Sequence, residues 1–330
     1  MKVAIVKLSA LGDIVHAMAS LQYIKQWFPD IKIDWIVEET FKEVLEHNPH
    51  IDNVLTVNIK AIKKDKLTFF SQLQQLKKYR GYDYDLVIDL QGLIKSAIVS
   101  KILGKNVGFD KTSIREKAAT FFYREDFCVP YSNNVIERNI RLLLLALGKD
   151  VEIDFTHKKP FLHFLPTDIE HLRPYMNQKV SNIVHVMGAS WESKVYPKEK
   201  FVEIIQHLEG NHLLLWGNEK ELVSAHYVSE HTQATVLPKM NLNGLKALVS
   251  QADLVIGADS GPTHFAWALN RPSITIFGPT PSQRNTMLTS INKVIDCGKK
   301  IDPLMLDKKN FCIRDIEAND IVCLAKGLLG

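Results

Sequence analysis

Two doubly wound α/β domains, each a parallel sheet covered by helices on both faces, are what this 330-residue sequence predicts. Three observations predict it. Apolar, β-rich runs alternate with helical patterns along the chain, and these runs lack the in-and-out alternation of a one-sided sheet, so they are buried on both faces. The rhythm stops after Gly148 and starts again at NIVHVM, in a chain longer than one hydrophobic core usually organises. The expected division is residues 1–160 and 161–330, through an irregular His-, Lys- and Pro-rich stretch near 150–175. The last helix is a candidate to pack back on the first domain.

In order, the first half reads as strand KVAIVKL, helix over 14–28, strand IDWIV, helix over 40–47, strand-like VLTV, strand LVIDL, helix over 93–103 and helix over 135–147. The second half reads as strands NIVHVM, HLLLW, TVLP, DLVIGA and SITIF, separated by helices near 198–208, 219–230, 241–250 and 263–269. No short repeat or low-complexity segment interrupts either half. LLLLAL at 142–147 is far too short to span a bilayer, and the four-residue VAIV at the start is no signal peptide. Any membrane contact is expected to be peripheral.

The net charge of +4 is too mild to imply nucleic acid, but it is unevenly placed. Between Lys60 and Arg124 there are fourteen Lys and Arg against six Asp and Glu, so that segment carries +8 and the remainder −4. Some surface of the first half should attract anions. Cys128, Cys297, Cys312 and Cys323 form no CxxC pair and no metal-ligand spacing with histidine, which fits a reducing cytosolic compartment and no metal site.

In open parallel sheets ligands sit beyond the carboxyl ends of the strands, so the loops after each strand carry the functional signal. LSALGD follows the first strand: Gly12 allows a tight turn, and Asp13 reads either as a helix cap or as a general base, with His16 one turn further along the same face. After NIVHVM, Gly188, Ala189 and Ser190 are small enough for a phosphate to approach the backbone, and Lys194 supplies a cation; a solvated surface lysine is the plainer reading. After HLLLW, Glu221 suits a ribose, or simply the positive end of the following helix. The segment DSGPTH after DLVIGA gathers Asp259, Ser260, Gly261 and His264 at a helix start, a concentration of donors suited to a diphosphate and more than capping requires. FGPTPS closes the next strand and reads as a lining loop or a turn. In the first half, DLQGLIKS and the basic residues Lys60, Lys63, Lys64, Arg115 and Lys117 are candidates for an anionic acceptor. There is no GxxxxGK[ST], GxGxxG after a strand, HExxH or GxSxG, which disfavours a P-loop ATPase, a standard NAD enzyme, a zincin and a serine hydrolase.

KLSALGDIVHAM, IDWIVEE, VIDLQGLIKSA, LPKM and DSGPTHFAWALNRPSITIFGPT together resemble the lipopolysaccharide heptosyltransferases, inverting glycosyltransferases of GT-B fold, over essentially the whole chain. IDWIVEE and the KLSALGD opening resemble the branch that adds the first heptose to Kdo (heptosyltransferase I) more than the branch that follows it. The resemblance implies two Rossmann-like domains, an acceptor-binding one first and a nucleotide-sugar-binding one second. It further implies Asp13 as catalytic base, donor binding by Ser190, Lys194, Glu221, Asp259, Ser260, Gly261 and His264, and acceptor binding by Lys60, Lys63, Lys64 and Arg115. ADP-heptose would be the donor, Kdo-lipid A the acceptor, and no cofactor or metal would be needed. The location would be the cytoplasmic face of a Gram-negative inner membrane, held peripherally on its anionic leaflet. The chain departs from the family between His185 and Lys194: paired threonines and a shorter loop are usual there, and this chain has GAS followed by Trp191. Another GT-B transferase with a different nucleotide sugar, or a non-catalytic nucleotide-sugar-binding module, would share many of these residues.

Overall fold

The computed structural model describes residues 1–62, 66–153 and 160–330, which divide into two compact units, Met1–Phe161 and Leu162–Gly330. The first unit runs β1 (Lys2–Val6), α1 (Leu11–Met18), α2 (Ser20–Trp27), β2 (Lys32–Glu38), α3 (Lys42–Leu45), β3 (Asn53–Val57), α4 (Ile59–Ile62), α5 (Lys66–Arg80), β4 (Leu86–Asp89), α6 (Ile94–Leu103), β5 (Asn106–Phe109), β6 (Glu125–Phe127) and α7 (Val135–Ala146). Its six strands form one parallel sheet in the order β3-β2-β1-β4-β5-β6. The chain moves outward from β1 to β3 and then crosses back to β4. With one crossover hand, α1, α2 and α7 cover one face and α5 and α6 the other. Residues 3 to 6 of β1, 33 to 38 of β2 and all of β4 are buried, as strands with helices on both sides must be.

The second unit runs α8 (Pro166–Glu170), β7 (Asn182–Val186), α9 (Lys198–Gln206), β8 (Asn211–Leu215), α10 (Glu219–Glu230), β9 (Thr235–Val236), α11 (Leu242–Gln251), β10 (Leu254–Ala258), α12 (Gly261–Ala268), β11 (Ser273–Phe277), α13 (Ser282–Asn285), β12 (Asn292–Asp296) and α14 (Ala318–Leu329). Again six parallel strands form one sheet, in the order β12-β11-β10-β7-β8-β9. On one face of it a core joins Ile183, Leu214, Ile256 and Ile276 of the strands to Phe201 of α9 and Ile321 of α14. The last helix, a candidate to return to the first domain, packs on α9, β10 and β11 of its own unit.

Local chemistry sets the helix ends. The Asn218 side chain caps α10 by accepting from the Lys220 and Glu221 N–H groups, and Asn134 and Asn241 cap α7 and α11 in the same way. Asn270, at φ 57°, turns the chain out of α12 in the left-handed region that short amide side chains tolerate. The helix expected over 14–28 is two helices, α1 and α2, and α1 begins at Leu11, so that the GD pair lies inside its first turn.

Candidate active site

At the carboxyl edge of the first sheet, β1 and β4 are paired in register from Val3 with Leu86 to Val6 with Asp89, which sets the two following loops side by side. They are tied together. The Gln91 side chain accepts from the Leu8 N–H at 2.6 Å and the Ser9 N–H at 3.3 Å, and Nε2 lies 3.2 Å from Ser9 Oγ. The Lys95 ammonium reaches Ser9 Oγ at 3.3 Å, while the buried Lys7 ammonium donates to the Leu90 carbonyl at 2.8 Å. Trp35, fully buried on β2, donates to the Lys7 carbonyl. The signature segments KLSALGD, IDWIVEE and DLQGLIKS thus meet as one platform.

Asp89 anchors that platform from below. Burial pushes its carboxyl above the usual range, against donors from Tyr123, Ser96 and the Gln91 and Gly92 N–H groups. Burial and the adjacent Asp89 likewise push the Tyr123 hydroxyl far up, so it remains a donor. Asp89 is fully buried, and Tyr123 is half-buried above it.

Asp13 is exposed, and its Oδ2 accepts the Ala10 N–H at 3.2 Å. It therefore caps α1, and the exposed carboxylate lies at the mouth of that helix. His16 does not join it: it is 3% exposed, buried with Ile14, Val15 and Ala17, because the helix turns that position toward the core. Arg115 is exposed on the loop after β5. Lys60 lies on α4, and Lys63 and Lys64 lie outside the described residues.

In the second unit, β10 pairs with β7 from Leu254 with Ile183 to Gly257 with Val186, which brings the loop 187–194 beside the start of α12. Asp259 is the hub. Its Oδ1 accepts from His264 Nε2 at 2.9 Å; its Oδ2 accepts from Lys194 Nζ at 2.8 Å and from Thr280 Oγ1 at 2.8 Å. Burial opposes the charge on Asp259, yet the Lys194 ammonium and the His264 contact hold the carboxyl far below the usual range. Asp259 and Lys194 are each 7% exposed and His264 3%. A buried pair with this many donors is a fixed ion pair, not a surface one. Ser260 Oγ lies 3.2 Å from Thr263 Oγ1, and Gly261 opens α12 beside them. Thr280, which completes the hub, belongs to the FGPTPS loop, whose position after β11 was its only sequence signal.

Glu221, in the first turn of α10, accepts from the Gly217 N–H at 2.7 Å and from Asn218 Nδ2 at 2.6 Å. A side chain at Gly188 would place its Cβ 1.9 Å from Glu221 Cδ, so the close approach of the β7 loop to this carboxylate requires glycine. Glu221, the exposed Ser190, Trp191, Tyr196 and Arg314 line a pocket of about 680 Å³. Lys194, Asp259, Ser260, Gly261 and His264 lie outside that lining, and the predicted donor residues therefore fall into two groups. Trp191 stands between the groups, its ring centroid 5.5 Å from Lys194 Nζ and 4.8 Å from Lys308 Nζ. Nothing in the sequence reading singled out Lys308. The four cysteines are free. Among the described residues no group of three or more His, Cys, Asp or Glu side chains could hold a metal ion, and no helix is long and apolar enough to cross a membrane.

Comparison with known proteins agrees with this layout. The profile of glycosyltransferase family 9 (heptosyltransferase) matches residues 73–303. The chain is 40% identical over 358 aligned positions to lipopolysaccharide heptosyltransferase 1 of Campylobacter coli, covering 100% of this chain and 99% of that one. It is 31% identical to lipopolysaccharide heptosyltransferase 1 of Escherichia coli K12, over 85% of this chain and 88% of that one. Among solved structures it resembles E. coli heptosyltransferase WaaC with ADP-2-deoxy-2-fluoro heptose, with 26% identity, a TM-score of 0.78 and 99% of each chain covered. The fold is also that of E. coli ADP-heptose LPS heptosyltransferase II, at 17% identity, a TM-score of 0.76, and 100% and 98% coverage.

Proposed function

The chain belongs to glycosyltransferase family 9, the heptosyltransferases, and on that premise we propose that its acceptor is the Kdo of Kdo-lipid A, glycosylated by inverting single displacement. The protein is a GT-B glycosyltransferase that transfers heptose in lipopolysaccharide inner-core synthesis, and ADP-heptose is the donor. The observation that carries the assignment of roles is the buried Lys194–Asp259–His264 hub at the start of α12.

Departure of ADP builds negative charge on the diphosphate as the sugar becomes oxocarbenium-like, and that charge must be met by groups already in place. Asp259 is saturated by its donors and is no base: it positions Lys194 and His264. Lys194 and the Gly261 and Thr263 N–H groups in the first turn of α12, where Pro262 has none and the His264 N–H bonds the Ser260 carbonyl, then receive the diphosphate. Ser190 and Ser260 add hydroxyl donors, and Glu221 takes the ribose hydroxyls beside Gly188. Asp13 accepts the proton of the attacking Kdo hydroxyl. One carboxylate suffices for this single displacement, whereas a double displacement would need a nucleophile as well. Lys60, Lys63, Lys64 and Arg115 are assigned to the carboxylates and phosphates of the acceptor, consistent with the +8 charge of the segment that holds them. Because that acceptor is a membrane lipid, the enzyme works at the cytoplasmic face of the inner membrane as a peripheral protein. The scheme assigns no step to a cofactor or metal ion.

A transfer assay with ADP-heptose and Kdo-lipid A tests the reading. The expected product is Kdo-lipid A heavier by one heptose, formed with stoichiometric ADP release and at the same rate in EDTA. Transfer only to an acceptor already carrying heptose would replace this reading with that of the second-heptose branch.

A further inference from the structure

The outer side of the α5–α6 layer in the first unit combines two features that oppose each other on an ordinary soluble surface. The first is apolar exposure. Phe70 is 65% exposed and Phe69 46% in the first two turns of α5, with Ile94 38% and Ile98 39% on one stripe of α6. Phe121, in the 3-10 turn Lys117–Phe122, is 84% exposed. Single exposed apolar residues are ordinary, but a set of five on packed neighbours marks an interaction surface. They are neighbours: α5 packs beside α6, α6 packs against the 3-10 turn, and the Ile94 N–H donates to Glu116 beside that turn. The two phenylalanines of α5 contact edge to face, with ring centroids 5.6 Å apart.

The second feature is charge of one sign. The sequences KLTFFSQLQQLKKYR, IKSAIVSKIL and KAATFF contain seven Lys or Arg and no Asp or Glu. Lys77, Lys78, Lys101 and Lys117 are exposed on these elements. A second copy of the same face would bring like charges together, so self-association is opposed. An anionic bilayer satisfies both features at once: aromatic and aliphatic side chains enter the interfacial zone while ammonium groups remain at the head groups.

We propose that this face docks on an anionic lipid bilayer, with Phe69, Phe70, Ile94, Ile98 and Phe121 entering the interface and the surrounding lysines neutralising lipid head groups. The idea rests on the reading that the acceptor is a membrane lipid, and topology supports it. α5 and α6 follow β3 and β4, so both begin at the carboxyl edge of the sheet, the edge that also carries Asp13, Ser9 and Lys95. Docking there sets that edge against the surface from which a lipid acceptor projects.

The test is co-sedimentation of the full chain with phosphatidylethanolamine vesicles containing phosphatidylglycerol, compared with phosphatidylcholine vesicles. The wild-type protein should sediment with the anionic vesicles only, and more weakly as salt is raised. The F69S/F70S/F121S variant should lose about tenfold or more of that binding. Its turnover with a water-soluble, deacylated Kdo oligosaccharide should equal that of the wild type, which shows that the variant folds. Wild-type indifference to anionic vesicles, undiminished binding by the variant, or a wild-type dimer that the variant dissolves in analytical ultracentrifugation would each overturn the proposal. Absence of transfer by the wild type to the soluble acceptor would instead count against the proposed function and leave the vesicle result standing.

Discussion

At the scale of single residues, the candidate carboxylates of the two units, taken each in its own unit, differ in what they have left to do. Asp259 is buried and accepts from four side chains, those of Lys194, His264, Thr280 and Asn285, so its charge is already committed to holding Lys194 and His264. Asp13 is exposed and accepts one backbone N–H, a contact that stabilises a helix start by about 1 kcal/mol and leaves its other oxygen open to the proton of the proposed acceptor hydroxyl. The two contributions of Asp13 separate in one experiment. Asp13→Ala should lower turnover by about a thousandfold or more, as loss of a general base does, with ADP affinity unchanged and only a small drop in melting temperature. A turnover within a few-fold of wild type, with the same small drop, would reduce Asp13 to a cap. Sequence showed the carboxylate but not this division, because whether a helix-start aspartate is exposed or spent depends on which side of α1 faces the core. His16 shows the same limit from the other side: three positions along the helix suffice to turn it inward.

At the scale of elements, the close contact between the β7 loop and the first turn of α10 depends on the missing side chain of Gly188. Gly188→Ala would drive a methyl into the Glu221 carboxylate, displacing the group that orders Gly217 and Asn218 at the helix mouth. The expected result is a KM for ADP-heptose raised about tenfold or more, with an acceptor KM and circular dichroism spectrum like those of wild type. An unchanged donor KM would remove Glu221 from the ribose site. What was legible among the elements follows from burial. β1, β2, β4, β7, β8, β10 and β11 are runs buried on both faces and announce themselves as apolar sequence. NVGF, EDF and NKVID, which form β5, β6 and β12, mix polar with apolar residues, EDF is only three residues long, and β6 and β12 lie at sheet edges, so they read as loop. α5 escaped for a different reason. Phe69 and Phe70 face outward, which breaks the apolar stripe that a helix normally writes into its sequence. The loops of the site were legible because each follows a strand, but the link from Lys194 to Asp259 spans 65 positions, and Thr280 joins from a third loop. Only the pairing of β7 with β10 and β10 with β11 brings those loops together.

At the scale of the whole molecule, the two units are built on the same sheet plan but bury different titratable groups, so acid should not weaken them equally. The second unit buries a histidine pair between β7 and β8: His212 Nε2 bonds the Leu208 carbonyl, which makes its Nδ1 the acceptor from His185 Nε2 at 3.0 Å and leaves His185 Nδ1 without a proton or a partner. Burial, reinforced by the neighbouring His212, holds His185 well below its ordinary value, and burial lowers His212 as well despite its bond to Leu208. Both are therefore neutral in the folded unit and take up a proton only on unfolding. A depressed histidine costs stability as pH falls through its unfolded value near 6.5, by at most roughly 1.4 kcal/mol per pH unit for each group. Asp259, held far below its ordinary value, adds its own loss only below about pH 4. In the first unit the half-buried His50 is lowered, by burial and by Lys25, and the lowered carboxyls of Asp52 and Asp110 matter only below about pH 4, while the raised carboxyl of Asp89 acts in the opposite sense, favouring the folded unit as it protonates. Calorimetric unfolding should therefore broaden or split between pH 7.5 and 5.5, with the transition that moves down being the one that added ADP moves up, since the nucleotide is assigned to the second unit. Replacing both histidines, as His185→Leu with His212→Leu, should flatten that pH dependence while leaving the ADP shift in place. A variant as acid-sensitive as the wild type would mean that the pair is not the source, and an ADP-stabilised transition that ignores pH would place nucleotide and histidines in different cooperative units.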